Sequence, residues 1–152
     1  MIILGIDPGY DRVGVCVLEK KNNQYKYIFS CLIETSSSLS FYERLLEVDA
    51  DLQEVISLYK PDVAVIEKVF FSNNQKTALN VAESRGVICL CCYKNGIEIK
   101  DVSPSEMKLA ITGDGRANKS QVKDMVFRTL KLKSSSSIID DTIDAMGLAM
   151  MV

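Results

Sequence analysis

MIILGIDPGY, residues 1–10, opens the chain with an apolar run that stops on a carboxylate. Ile2, Ile3, Leu4 and Ile6 are the residues of a strand buried on both faces, the kind found inside sheets with parallel strands. Pro8 and Gly9 break the run, leaving Asp7 at the strand's end. A carboxylate there is costly to desolvate without a partner. Asp-Pro-Gly is also ordinary turn chemistry, so this stretch alone leaves turn and site both open. A second stretch repeats the pattern: the apolar run Val63–Ile66 ends on Glu67. Taken alone, Glu67 reads as a strand-end acid facing water. If the two strands are parallel neighbours, Asp7 and Glu67 stand at one end of one sheet, the end where open α/β sheets place ligands.

Outward from these two strands, Val13–Leu18 and Tyr25–Thr35 read as strands joined by a hairpin turn at Asn22-Asn23. Ser40 and Glu43 form a capping box. Leu45, Leu46, Leu52, Val55, Ile56 and Tyr59 follow at helical spacing until Lys60-Pro61. Thr77 to about Tyr93 reads as a long apolar helix, ended by Asn95-Gly96, and Ile97–Val102 as a strand. Ser103 and Glu106 form a second capping box with Pro104 at the first helical position. Gly113–Gly115 is a flexible loop, Asn118 caps a helix to about Leu132, and the serine run 134–137 precedes a last helix. The order β-β-β-α-β-α-β-α-α-α predicts an α/β fold with a mixed five-stranded sheet, flanked by helices on both faces. The length of 152 residues, with no linker and no internal repeat, predicts one domain spanning 1–152.

The chain has no histidine, which excludes histidine acid–base catalysis, Ser-His-Asp triads and imidazole metal sites. Its five cysteines, odd in number and without a Cys-x-x-Cys pair, predict reduced thiols in a cytoplasmic protein. There is no apolar run of membrane-spanning length and no secretory signal. The net charge of −2 is unevenly distributed. From Lys108 to Lys133 seven basic residues, among them Lys108, Arg116, Lys119 and Lys123, stand against Asp114 and Asp124. Such a segment is either a polyanion-binding face or a solvated helix face.

The last helix, IIDDTIDAMGLAMMV, is apolar almost all round and so expected to be buried, yet it carries Asp140, Asp141 and Asp144. Like charges three or four residues apart repel, a pattern that favours a bound cation or a protonated carboxyl. Ser137 and Asp140 have capping-box spacing, so Asp140 is assigned to the helix start, leaving Asp141 and Asp144 for chemistry. Asp7, Glu67, Asp141 and Asp144 form a hard oxygen donor set, suited to Mg²⁺ or Mn²⁺ rather than Zn²⁺. Two such ions about 3.5–4 Å apart clamp the attacking and leaving oxygens of a phosphodiester displacement. Lys119 falls in the first turn of its helix, where the macrodipole disfavours a cation unless an anion binds there. Phe70-Phe71 follows the second acidic strand end and reads either as core or as aromatics that wedge or stack against bases.

GIDPG at 5–9, IEKVF at 66–70, ALNVAESRGV at 78–87, GRANKSQVKDMV at 115–126 and DTIDAMGLA at 141–149 occur together and in this order. In these the chain resembles the bacterial Holliday-junction resolvases of the RuvC family. The resemblance implies a ribonuclease H-like fold, a homodimer, and an Mg²⁺-dependent endonuclease cutting two strands of four-way junction DNA symmetrically. It also implies a branch-migration helicase complex of RuvA and RuvB type as partner. The family's four metal-binding acids fall on Asp7, Glu67, Asp141 and Asp144. Its junction-centre aromatic falls on Phe70, and its DNA-contacting or catalytic lysines on Lys108 and Lys119. Tyr10 departs from the small polar residue of many relatives, and both the acidic net charge and a stop at Val152 without a basic tail depart from the longer ones.

Two further readings use the same residues. One is a non-catalytic module binding branched DNA on the same fold, against which the four acids argue. The other is a lobe of an actin-like ATPase, which also opens with a strand-end Asp but needs two lobes. Ala78, Leu79, Ala82, Gly86, Val87 and Leu90 make a stripe wider than one sheet-facing side requires. It is expected either against a second subunit or inside a fully buried helix.

Overall fold

The computed structural model describes residues 1–69, 75–132 and 140–152. β1 (Ile2–Asp7), β2 (Arg12–Lys21) and β3 (Gln24–Glu34) form an antiparallel meander. β4 (Val63–Glu67) pairs with β1 in parallel and β5 (Glu98–Val102) with β4, giving the sheet order β3-β2-β1-β4-β5. This is the mixed five-stranded sheet expected from the sequence. Asn22 and Asn23 both take positive φ, 51° and 58°, as a two-residue turn matched to strand twist requires.

The two-residue period of the strands divides the core. Leu4 and Ile6 of β1 and Ala64 and Ile66 of β4 pack with α1 (Phe41–Tyr59) and with the buried side of α2 (Gln75–Lys94). Ile3, Val63 and Val65 pack on the other face with α3 (Pro104–Thr112), α4 (Lys119–Thr129) and α5 (Ile143–Ala149). Asp7 and Glu67 continue the second series, so both fall on the side of the sheet covered by α5.

α5 lies directly on β1 because Gly5 has no side chain. A Cβ there would stand 2.0 Å from the Ala145 carbonyl oxygen and 2.7 Å from the Ala149 nitrogen. α3 closes on α5 at Gly147, where a Cβ would meet Ile111 and Met107 at 2.8 Å. Burial of six of the seven α5 residues, from Ile143 to Ala149 with Asp144 excepted, bears out the reading of its sequence.

The capping boxes of Ser40 with Glu43 and Ser103 with Glu106 form as read, and the Asn118 cap forms as a further box with Gln121. Several boundaries shift, two of them at helix ends with a visible cause. α4 stops at Thr129 rather than near Leu132, because Lys131 turns left-handed at φ 54°. The Lys131 N–H donates to the Arg128 carbonyl and the Leu132 N–H to the Phe127 carbonyl, closing the end in the manner usually left to glycine. The last helix begins later than expected: Asp140–Thr142 is a 3₁₀ turn and the N-cap is Thr142. Ser137 lies outside the described residues, as do Phe70, Phe71, Lys133 and the serine run.

The stripe on α2 is not enclosed. Leu79 and Leu90 are 52% and 53% exposed and Tyr93 76%, while Ala78, Ile88, Cys91 and Cys92 face the core. Of the two expectations for this helix, the fully buried one is therefore ruled out by the structure. Tyr10 packs by its ring edge on Phe41, 5.9 Å between centroids, with the Arg44 guanidinium 5.3 Å from its ring centre. It joins the first turn to α1.

Candidate active site

β1 and β4 run in parallel with Ile6 opposite Ile66, so Asp7 and Glu67 emerge side by side at the carboxyl end of the sheet. Asp7 is paired in register with Gly14 of β2. A Cβ on Gly14 would stand 2.9 Å from the Asp141 carbonyl oxygen and 3.4 Å from the Asp7 Cβ. That bare glycine lets the Asp140–Thr142 turn settle over the strand end, and α5 then delivers Asp144 beside the two strand carboxylates.

The electrostatics record this convergence. Burial pushes the Asp7 carboxyl up to about 6, the charges of Asp144 and Asp141 add to the rise, and the Lys119 ammonium opposes it. Burial likewise raises Glu67 to about 7, helped by Asp7 and Asp144 and opposed by Lys108. Desolvation and like charge both disfavour ionisation of a carboxyl. Asp7 is thus within electrostatic reach of Glu67, Asp141 and Asp144, and two of the predicted lysines act on the strand-end pair.

Among the described residues no three carboxylates or thiols stand close enough to form a finished cation cage. The reason is visible at Asp141. Its Oδ2 accepts a hydrogen bond from Arg12 Nη1 at 3.1 Å, and Arg12 Nε lies 3.3 Å from Glu34 Oε1. Arg12 thus bridges Asp141 and Glu34. The donor set itself, four carboxylates with Asp7 and Glu67 pushed toward their protonated forms by burial and like charge, fits a hard divalent ion.

Lys119 is the first residue of α4. It lines a cavity of about 350 Å³ with Ser120, Lys123, Asp141, Ile143 and Asp144. Lys123 Nζ also stands 5.7 Å from the Phe127 ring centre. Arg116 is exposed in the loop before α4, where its backbone N–H donates to Asp114 Oδ1 at 2.9 Å. Lys119 and Lys123 therefore line one cavity with Asp141 and Asp144, and Lys108 acts on Glu67. Phe70 and Phe71 lie outside the described residues.

Sequence reasoning missed three side chains here: Arg12, Ser84 and Arg85. Ser84 is fully buried and donates from Oγ to the Gly9 carbonyl at 2.6 Å, in the turn just after Asp7. Arg85 donates from Nε to the Glu67 carbonyl at 2.9 Å and pairs through Nη2 with Asp101 of β5. A serine and an arginine in adjacent positions on the side of the helix toward the strand ends left no local sequence signal.

Comparison with known proteins agrees with this arrangement over the full length of the chain. Residues 3–152 match the family model of crossover junction endodeoxyribonuclease RuvC. The chain is similar to crossover junction endodeoxyribonuclease RuvC of Brachyspira hyodysenteriae, 46% identical over 99% of this chain and 92% of that one. It is 44% identical to that of Petrotoga mobilis, over 98% of this chain and 91% of the relative. Its fold is similar to that of Thermus thermophilus RuvC solved with a Holliday junction substrate: TM-score 0.90, 26% identity, 99% of this chain and 91% of the other. The ribonuclease H-like fold is thus shared with a protein solved on a Holliday junction substrate, and the chain belongs to the RuvC family of crossover junction endodeoxyribonucleases.

Proposed function

We propose that the chain acts as one nuclease domain that resolves four-way DNA junctions by paired, symmetric phosphodiester hydrolysis, using Asp7, Glu67, Asp141 and Asp144 as ligands of two Mg²⁺ ions, with Mn²⁺ as a substitute. The observation that carries this reading is the electrostatic coupling of acids from β1, β4 and the α5 region, flanked by two lysines. Such a pair of ions, when bound, supplies an activated water and offsets charge on the leaving oxygen. The residues of the chain do the rest. Lys119, at the positive end of α4, holds the scissile phosphate against the acids. Lys108 does the same from the Glu67 side, and Arg116 and Lys123 carry the adjoining backbone. Phe70 and Phe71 engage bases at the opened junction centre.

Two cuts placed symmetrically need two sites, and the exposed Leu79–Leu90–Tyr93 face of α2 supports a homodimer about that helix. The partners are then four-way junction DNA, a second copy, and a helicase complex of RuvA and RuvB type, in the cytoplasm. No helix among the described residues is long and apolar enough to cross a membrane. The test is cleavage of a synthetic four-way junction in Mg²⁺, beside a linear duplex of the same sequence. Wild type cuts the junction alone, in opposed strands; Asp144→Asn cuts neither. Binding without cleavage by wild type would favour a non-catalytic junction-binding module instead.

A further inference from the structure

Adjacent side chains on a helix point about 100° apart, so a neighbouring pair can serve two targets at once. On α2, Ser84 reaches the Gly9 carbonyl in the turn that follows Asp7, and Arg85 reaches the carbonyl of Glu67 itself. These are the two strand ends that carry the inner carboxylates. The turn at Gly9 is already tight, since a Cβ there would stand 2.0 Å from the Arg12 carbonyl oxygen. Alanine would satisfy packing at position 84 without a hydroxyl to desolvate, so the buried Ser84 gains its place through that one hydrogen bond. Arg85 is in turn fixed by Asp101 on β5, the strand beside β4.

We propose that Ser84 and Arg85 are positioning residues. From one helix they hold the backbone at both strand ends, and so fix the separation of the Asp7 and Glu67 carboxylates and the affinity and selectivity of the site for its ion. This rests on the reading of those acids as metal ligands. Neither residue touches the ion or the DNA in this scheme. Each acts on a carbonyl one bond network removed from a ligand. Mg²⁺ demands near-ideal octahedral geometry, whereas Ca²⁺ accepts six to eight oxygens in a flexible arrangement. Slack at the strand ends should therefore cost Mg²⁺ more than Ca²⁺.

The experiment is calorimetric titration of Mg²⁺ and Ca²⁺ into the full chain, for wild type, Ser84→Ala and Arg85→Gln, with Asp144→Asn as the control that removes a ligand. Junction Kd and cleavage kcat are measured beside it. Ser84→Ala removes a single oxygen from a packed site and keeps the fold. We expect the Mg²⁺ dissociation constant to rise about tenfold in either variant, in the range usual for outer-shell partners of metal ligands. The Ca²⁺ constant and the junction Kd should stay within about twofold, and kcat should fall at fixed Mg²⁺ and recover as Mg²⁺ is raised. An Mg²⁺ constant unchanged in Ser84→Ala overturns the proposal. So does equal loss of both ions, which would mean general loosening rather than positioning. Wild type that binds neither ion, like Asp144→Asn, overturns the metal-site reading and this proposal with it.

Discussion

At Asp7, on the proposed metal-site reading, a proton and a cation compete for the same oxygens. The native state holds protons on Asp7 and Glu67 up to about pH 6 and about pH 7, well above their unfolded values. The two groups thus add stability at low pH that is lost as pH rises through those values. The metal-free protein should melt at a higher temperature at pH 5 than at pH 8. Asp7→Asn should flatten that dependence, and Mg²⁺ should raise the melting temperature of wild type more at pH 8 than at pH 5. Scanning calorimetry at the two pH values checks all three. In cleavage, Asp7→Asn and Asp144→Asn should lose all turnover while binding junctions at least as well as wild type, since a negative charge near phosphate is removed. Asp140→Asn should cut at close to the wild-type rate; equal loss there would overturn the choice of Asp141 and Asp144. Gly5→Ala should destabilise by several kcal/mol, because its Cβ would collide with the Ala145 carbonyl, backbone that has no rotamer to escape into. Urea denaturation of the purified variant measures it.

α2 is the element on which the proposed dimer rests. A glutamate at Leu79 or Leu90, both half exposed on one stripe, should give a folded monomer by sedimentation that binds junctions weakly and cuts without pairing its cuts. A wild-type monomer at micromolar concentration would overturn the dimer. The same helix shows how far sequence reading reaches. Helix starts were legible because a capping box is a signal four residues long, and Ser40–Glu43 and Ser103–Glu106 formed as read. The end of α4 was not, because Lys131 takes the left-handed conformation where glycine is the expected sign. The acids were legible as breaks in apolar runs. Their supports were not: Arg12 reaches Asp141 across 129 positions and Ser84 reaches Gly9 across 75, distances at which no local pattern exists. Asp141 belonged to a helix by spacing and lies in a 3₁₀ turn, because Gly14 leaves room for the chain to settle there before α5 begins.

The whole molecule is acidic, net −2, yet Lys108, Lys119 and Lys123 gather on the side of the sheet that bears the acids. Junction affinity should therefore fall steeply with salt, with a log–log slope near −0.9 per phosphate neutralised. Lys119→Ala should lower both that slope and the cleavage rate. Lys26→Ala should leave them unchanged, since Lys26 pairs with Glu19 at the opposite end of the sheet. The junction dissociation constant across a salt series distinguishes the two, and a flat wild-type series would make the basic segment a solvated face. The seating of α5 on Gly5 has a consequence in time. β1 is among the first segments to leave the ribosome, and the helix that must lie on it is the last element of the described fold. At about 5–20 residues per second, a growing chain spends seconds with Asp7 and Glu67 made and Asp141 and Asp144 not yet joined to them. On the proposed reading of those acids, the nuclease centre is therefore incomplete until the last element of the described fold is made.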